Sequence, residues 1–129
     1  MTETLRTADD ALGSRLDEIR ARIAACARRA GRTSGDALTL IAVSKTHPAE
    51  RVIEAMRAGV SDFGENRVQE AGEKIEIVSR ADLDRSASRP RWHLIGHLQS
   101  NKARRAVKLF DLIHTVDSVE LIERLERTC

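Results

Sequence analysis

The sequence predicts an α/β fold in which one leading helix is followed by four β-α units with parallel strands. Three observations carry this expectation. Short apolar runs alternate with amphipathic stretches from residue 37 onward, and strands alternating with crossover helices form right-handed βαβ units in a parallel sheet. The helical stretches carry their own punctuation: Pro48 opens one, while Gly31 and Gly59 close two. Polar and ionisable residues stand at all four places where a strand should give way to a helix. That carboxyl edge is where such folds gather their functional groups.

Taken in order, residues 1–9 are polar and belong to no periodic pattern. From 10 to 31, Leu12, Leu16, Ile19, Ile23, Cys26 and Ala30 alternate in steps of four and three, which makes one apolar helical stripe. The stripe covers barely three heptads, so a helix packed on its own domain is expected rather than a coiled coil. After the polar break "RTSGD", the run "ALTLIAV" (37–43) reads as a strand buried on both faces. "PAERVIEAMRAG" (48–59) is a helix, and "VSDFG" (60–64) is a weaker strand. "NRVQEAGEKIEIVSR" (66–80) is a helix with Val68, Ala71, Ile75 and Val78 on one side. A polar loop (81–91) precedes the strand "WHLIGHL" (92–98) and the helix "NKARRAVKLF" (101–110). "DLIHTV" (111–116) is the fourth strand. "DSVELIERLER" (117–127) opens with Asp117 and Glu120 at capping-box spacing and continues as an amphipathic helix. An open doubly wound sheet and a closed (β/α)8 barrel both use this alternation. A barrel takes about 250 residues, so on that reading the 129 residues hold four of eight units.

Composition narrows the function classes. With 41% hydrophobic and 33% charged residues, the chain is expected to be globular rather than disordered. Phe63, Trp92 and Phe110 are the only aromatics, so the core must be largely aliphatic. No apolar run approaches the roughly 20 residues that a membrane span needs, and the N-terminal stretch "MTETLRTADDALGS" lacks the apolar segment of a secretory signal. A net charge of +2 does not call for nucleic acid, although "CARRAGR" (26–32) is locally basic. Cys26 and Cys129 form no C-x-x-C pair, which fits a reducing cytoplasm and argues against a disulfide framework or zinc site.

The four expected strand ends carry Ser44-Lys45-Thr46, then Gly64-Glu65-Asn66, then "GHLQSNK" with Gln99, Ser100, Asn101 and Lys102, and finally His114-Thr115-Val116-Asp117. Helix capping alone accounts for some of this polarity, with Asn66, Asn101 and Asp117 as candidate N-caps. Lys45 differs, because a cap does not need lysine. An amine held at the mouth of an apolar sheet loses hydration, which lowers its pKa from about 10.4 and prepares it to attack an aldehyde. The competing reading is a lysine whose ammonium reaches out to water, and position alone favours that one. His93 and His97 lie four apart, but on a strand rather than a helix, so they do not suggest a metal site. No G-x-G-x-x-G or Walker loop is present.

Four motifs occur in order: A-V-S-K-T, F-G-E-N-x-x-Q-E, W-H-x-I-G-x-L-Q-S-N-K and H-T-V-D-S. With them, the chain from about Leu12 to its last residue closely resembles the pyridoxal phosphate homeostasis protein family. The resemblance implies a TIM-like parallel (β/α) barrel of the alanine racemase N-terminal type, with the 10–31 helix packed outside it. It also implies pyridoxal 5'-phosphate (PLP) as cofactor, with Lys45 forming the internal aldimine. Asn66, His93, Ile95 and Gln99 would line the pocket, and Lys102 would make a secondary contact. A cytoplasmic role in PLP homeostasis follows, without catalytic turnover, with apo PLP-dependent enzymes as recipients and a monomeric parent. Two alternatives are a PLP-dependent enzyme of alanine racemase type and a non-catalytic scaffold with a surface lysine. The racemase alternative needs a base on the opposite face of the cofactor, and the chain has no tyrosine. Family members run about the length of a whole barrel, so residues 1–129 are expected to be its N-terminal half. That half lacks the late phosphate-binding loops and the arginine that faces the pyridine nitrogen.

Overall fold

The computed structural model describes residues 8–32, 38–81 and 89–129. Expectations for residues 1–7, for most of the "RTSGD" break, for the first residue of the 37–43 run and for most of the 81–91 loop lie outside them. Helix α1 (Ala8–Arg29) leads, followed by β1 (Ala42–Val43), α2 (Ala49–Arg57), β2 (Asp62–Glu65) and α3 (Val68–Arg80). Then come β3 (Arg91–Leu94), a single 3-10 turn (Ser100–Lys102), α4 (Ala103–Leu109), β4 (Leu112–Ile113) and α5 (Val119–Thr128).

The glycines end helices for a stated reason. Gly31 (φ 73) and Gly59 (φ 95) take the left-handed conformation that other residues resist. Each completes a Schellman turn: Arg32 N donates to Ala27 O at 2.9 Å, and Val60 N donates to Ala55 O at 3.0 Å. Pro48, extended at φ −71, occupies the N-cap of α2. The α1 stripe is only partly used. Leu16 is buried, Leu12 and Ile23 are half-buried, and Ile19 and Cys26 are exposed. Helix α1 packs on α2, and Arg20 ties the two by donating to Gly59 O at 2.9 Å.

The four strands form one parallel sheet in the order β1-β2-β3-β4. Val43, Gly64, His93 and Leu112 stand in one row across it. An order that follows the chain without reversal, joined by right-handed crossovers, places every helix on the same face. That arrangement lacks the reversal of order that defines a doubly wound sheet. The helix-covered face holds the core, with Phe63, Trp92, Leu94, Val52, Leu98 and Leu121 all at 2% exposure or less. The Phe63 and Trp92 rings lie 5.5 Å apart at 34°. The other face is open, with Val43 at 50% and Leu112 at 44% exposure.

Strand β2, the weakest strand by sequence, is buried along its whole length. Its two acids are tolerated there because each has partners: Asp62 meets Arg91 and His93, and Glu65 meets Ser44 and Lys74. Three capping expectations are overturned. The N-caps of α3 and α4 are Arg67 and Lys102, without side-chain caps, rather than Asn66 and Asn101. Helix α5 is capped by Ser118, whose Oγ accepts from Leu121 N at 3.1 Å, and not by Asp117. Asp117 instead lies 3.2 Å from His97.

Candidate functional site

The carboxyl edge of the sheet collects the residues that the sequence singled out. Lys45 lies two residues beyond the end of β1 and is exposed. The partial dehydration expected of its ammonium is not supplied by the described residues, because the sheet face beside it is open. Among the described residues Lys45 takes part in no ion pair. The backbone around it is held tightly. Thr46 has φ 63, a conformation that a β-branched residue rarely adopts. Its N–H donates to Glu70 Oε1 at 2.7 Å, and His47 N closes a turn onto Ser44 O at 3.0 Å.

Asn66, half-buried after β2, lines a cleft of about 690 Å³ together with Arg67, Glu70, His97, Gln99 and Lys102. The cleft lies between the start of α3 and the loop after β3. It can form because Gly96 lets that loop lie against the Asn66 backbone: a Cβ at Gly96 would fall within 2.7 Å of the Asn66 Cα. Thr115 Oγ1 adds a bond from the fourth strand end to Gly96 O. The structure thus brings Asn66, Gln99 and Lys102 together. It leaves Lys45 beside the cleft rather than in its lining, linked to it through Thr46 and Glu70.

His93 and Ile95 lie elsewhere. Ile95 packs over Gly64 on the open face of the sheet, where a Cβ on Gly64 would meet its Cδ1 at 2.9 Å and Ile41 Cγ2 at 3.2 Å. His93, 3% exposed, stands in the row next to Gly64. Its Nε2 contacts Asp62 Oδ1 at 2.8 Å and its Nδ1 contacts His114 Nε2 at 2.9 Å. An ionised carboxylate only accepts hydrogen bonds, so His93 Nε2 carries a proton, and a neutral His93 ring accepts from His114 through Nδ1. Burial of Asp62 raises its pKa, but hydrogen bonds from Arg91, His93 and Ser61, with the Arg91 charge, outweigh it and hold the carboxyl below its ordinary range. No group of three or more metal-ligating side chains occurs among the described residues, and none of their helices is long and apolar enough to cross a membrane.

Sequence reasoning missed Asp62, Glu70 and Lys74, and it placed Glu65 at a strand end without giving it a role. The signals were present. Glu65 and Glu70 belong to the F-G-E-N-x-x-Q-E stretch, Glu70 and Lys74 have the i,i+4 spacing of a helix ion pair, and an acid at 62 interrupts an otherwise buried strand.

Comparison with known proteins places this geometry. The family described as "Alanine racemase, N-terminal domain" matches residues 14–129. The chain is 44% identical over 110 residues to the pyridoxal phosphate homeostasis protein of Escherichia coli, covering 85% of this chain and 45% of that protein. It is 42% identical over 115 residues to the Pseudomonas aeruginosa protein of the same name, covering 88% and 46%. Among solved structures it resembles PipY of Synechococcus elongatus with PLP bound, at a TM-score of 0.69 and 45% identity, over 91% of this chain and 47% of that one. A protein of unknown function from Bifidobacterium adolescentis superimposes at 0.80 with 34% identity, over 92% and 49%. The chain therefore spans about half the length of the relatives it matches. With its parallel sheet, its one-sided helices and its lysine at the first strand end, it belongs to the alanine racemase N-terminal domain family and resembles the pyridoxal phosphate homeostasis proteins within it.

Proposed function

We propose that this chain carries the covalent anchor of a PLP-binding (β/α)8 barrel and serves intracellular PLP homeostasis. In this reading Lys45 holds PLP as a Schiff base, formed by condensation of its amine with the aldehyde and loss of one water. The observation that carries the reading is the position of Lys45. It is an exposed amine outside any described ion pair, at the carboxyl end of the first strand, in a chain 45% identical to PipY, which was solved with PLP bound.

The residues present fit such a cofactor in part. Asn66, Gln99 and Lys102 converge on the cleft beside Lys45 and offer hydrogen bonds and a positive charge. His93 is buried and Ile95 packs over Gly64, so neither lines that cleft, and both would act on a bound cofactor only from behind its lining. Lys45 supplies the reactive amine, and PLP when bound supplies an electrophilic aldehyde conjugated to its ring. The role is storage and delivery to apo PLP-dependent enzymes rather than turnover, with residues 1–129 as the N-terminal half of a monomeric barrel.

Titration of PLP into the purified protein tests this by absorbance. The visible Schiff-base band should appear and Lys45→Ala should abolish it. A band of unchanged size in that variant would remove Lys45 from the role. Racemisation of alanine by the same preparation would favour an enzyme of racemase type.

A further inference from the structure

The cofactor reading gives no role to a buried ion pair beneath the first strand end. Glu65 is 0% and Lys74 5% exposed, and they form an ion pair through Glu65 Oε1. Burying such a pair is a poor way to gain stability, since desolvation offsets the attraction unless every remaining polar atom is satisfied. Here Glu65 Oε2 has no hydrogen-bond partner among the described residues. Stability alone therefore does not explain the pair.

The bonds of this group are directed at one place. Lys74 Nζ donates to Ser44 O at 2.7 Å, the carbonyl immediately before Lys45. Ser44 Oγ donates to Glu65 Oε1 at 3.1 Å, and Ser44 N donates to Gly64 O at 3.0 Å. One turn earlier on α3, Glu70 Oε1 accepts the Thr46 N–H, the amide immediately after Lys45, at 2.7 Å. The same oxygen lies 3.5 Å from Lys74 Nζ. Helix α3 thus grips the chain on both sides of Lys45 and, among the described residues, makes no ion pair with the Lys45 side chain. Thr46 is the one non-glycine residue with positive φ among those described. A strained residue of this kind persists where its surroundings over-determine it, and such strain clusters at functional sites.

We infer that Glu70, Lys74 and Glu65 are positioning residues for Lys45. They fix the carbonyl before it and the amide after it, so that the amine leaves the sheet edge in one direction, toward the cleft that Glu70 also lines. The inference rests on the reading of Lys45 as the reactive amine. It accounts for the two acids of the F-G-E-N-x-x-Q-E stretch and for the i,i+4 lysine beyond it. None of the three touches the cofactor in this account; they act through the backbone.

Glu70 is the position to test, because its side chain is 34% exposed and its removal leaves the Glu65–Lys74 pair intact. Glu70→Gln keeps a carbonyl oxygen to accept from Thr46 N–H, whereas Glu70→Ala keeps none. The first readout needs no cofactor: hydrogen exchange of the Thr46 amide should speed by about tenfold in Glu70→Ala and stay near the parent in Glu70→Gln. The second is the rate at which added PLP develops the Schiff-base band. It should fall about tenfold in Glu70→Ala and return to within about twofold of the parent in Glu70→Gln. Glu70→Ala with parental exchange and a parental rate overturns the clamp. So does an equal loss in both variants that follows their thermal midpoints, since that marks a structural role only. Lys45→Ala separates the two claims. A band that survives it overturns the anchor, and this inference with it. A band that vanishes while Glu70→Ala behaves as the parent overturns the clamp alone.

Discussion

Asp62 shows how a single residue can be costly and useful at once. It is 3% exposed in the middle of a sheet, where burial alone would favour its neutral form. Arg91 at 2.9 Å and His93 at 2.8 Å reverse that preference, so its folded pKa lies below its ordinary value. A carboxyl depressed in this way contributes stability that is fully present above its unfolded pKa of about 3.9 and is lost as pH falls through the lower folded value. Acidification below about pH 4 should therefore weaken the protein, and Asp62→Asn should flatten that limb of the stability curve. The same variant should cost about 1–3 kcal/mol at neutral pH, because His93 and Arg91 lose a charged partner. Urea unfolding followed across pH measures both effects. Parallel curves for parent and variant would show that Asp62 does not carry the acid dependence.

At the scale of elements, helix bodies and stops were legible where backbone chemistry decides them: Pro48, Gly31 and Gly59 act as their residue types dictate. The caps were misjudged because Asp117 and Ser118 are both capping residues side by side, and only the observed φ of −152 at Ser118 shows which one serves. Strand lengths were overread for another reason. "WHLIGHL" keeps its apolar character to Leu98, but the ladder of β3 ends at Leu94, and Gly96 then lies against Asn66 rather than continuing a strand. The clamp beneath Lys45 was hidden because its members come from the turn after β1, from β2 and from α3, and only the packed structure shows that their bonds converge. Glycine substitutions separate a close backbone approach from a flexible neighbour. Gly96→Ala would push on Asn66 backbone atoms, so it should cost about 1–3 kcal/mol and weaken PLP binding. Gly72→Ala would meet only the guanidinium of Arg105, at 2.5 Å, which can swing away. It should stay within about 1 kcal/mol of the parent, helped by the helix propensity of alanine. Urea midpoints of the two variants measure this, and equal losses would contradict the contrast.

For the whole molecule, one consequence of the sequential strand order is that the core lies on one side of the sheet. Side chains of similar chemistry on opposite faces should then differ sharply in worth. Phe63→Ala, in contact with Trp92 on the helix-covered face, should cost about 3–5 kcal/mol. Leu112→Ala on the open face should change the stability of this chain by no more than about 0.5 kcal/mol. The emission of Trp92, the one tryptophan in the chain and 2% exposed, reports both by denaturant titration. Similar losses would mean that the open face is covered in solution. The parallel α/β architecture was readable from alternation alone, and the family from four short motifs. Barrel closure was an expectation from the resemblance alone, because alternation does not say what covers Val43 and Leu112.

The central claim, that Lys45 is the amine that holds PLP, is tested most directly by trapping. The protein is incubated with PLP, reduced with borohydride, digested, and the pyridoxyl group is located by peptide mass. The group is expected on Lys45, between Ser44 and the strained Thr46. Its appearance on Lys74 or Lys102 instead, or on no lysine, would contradict the account.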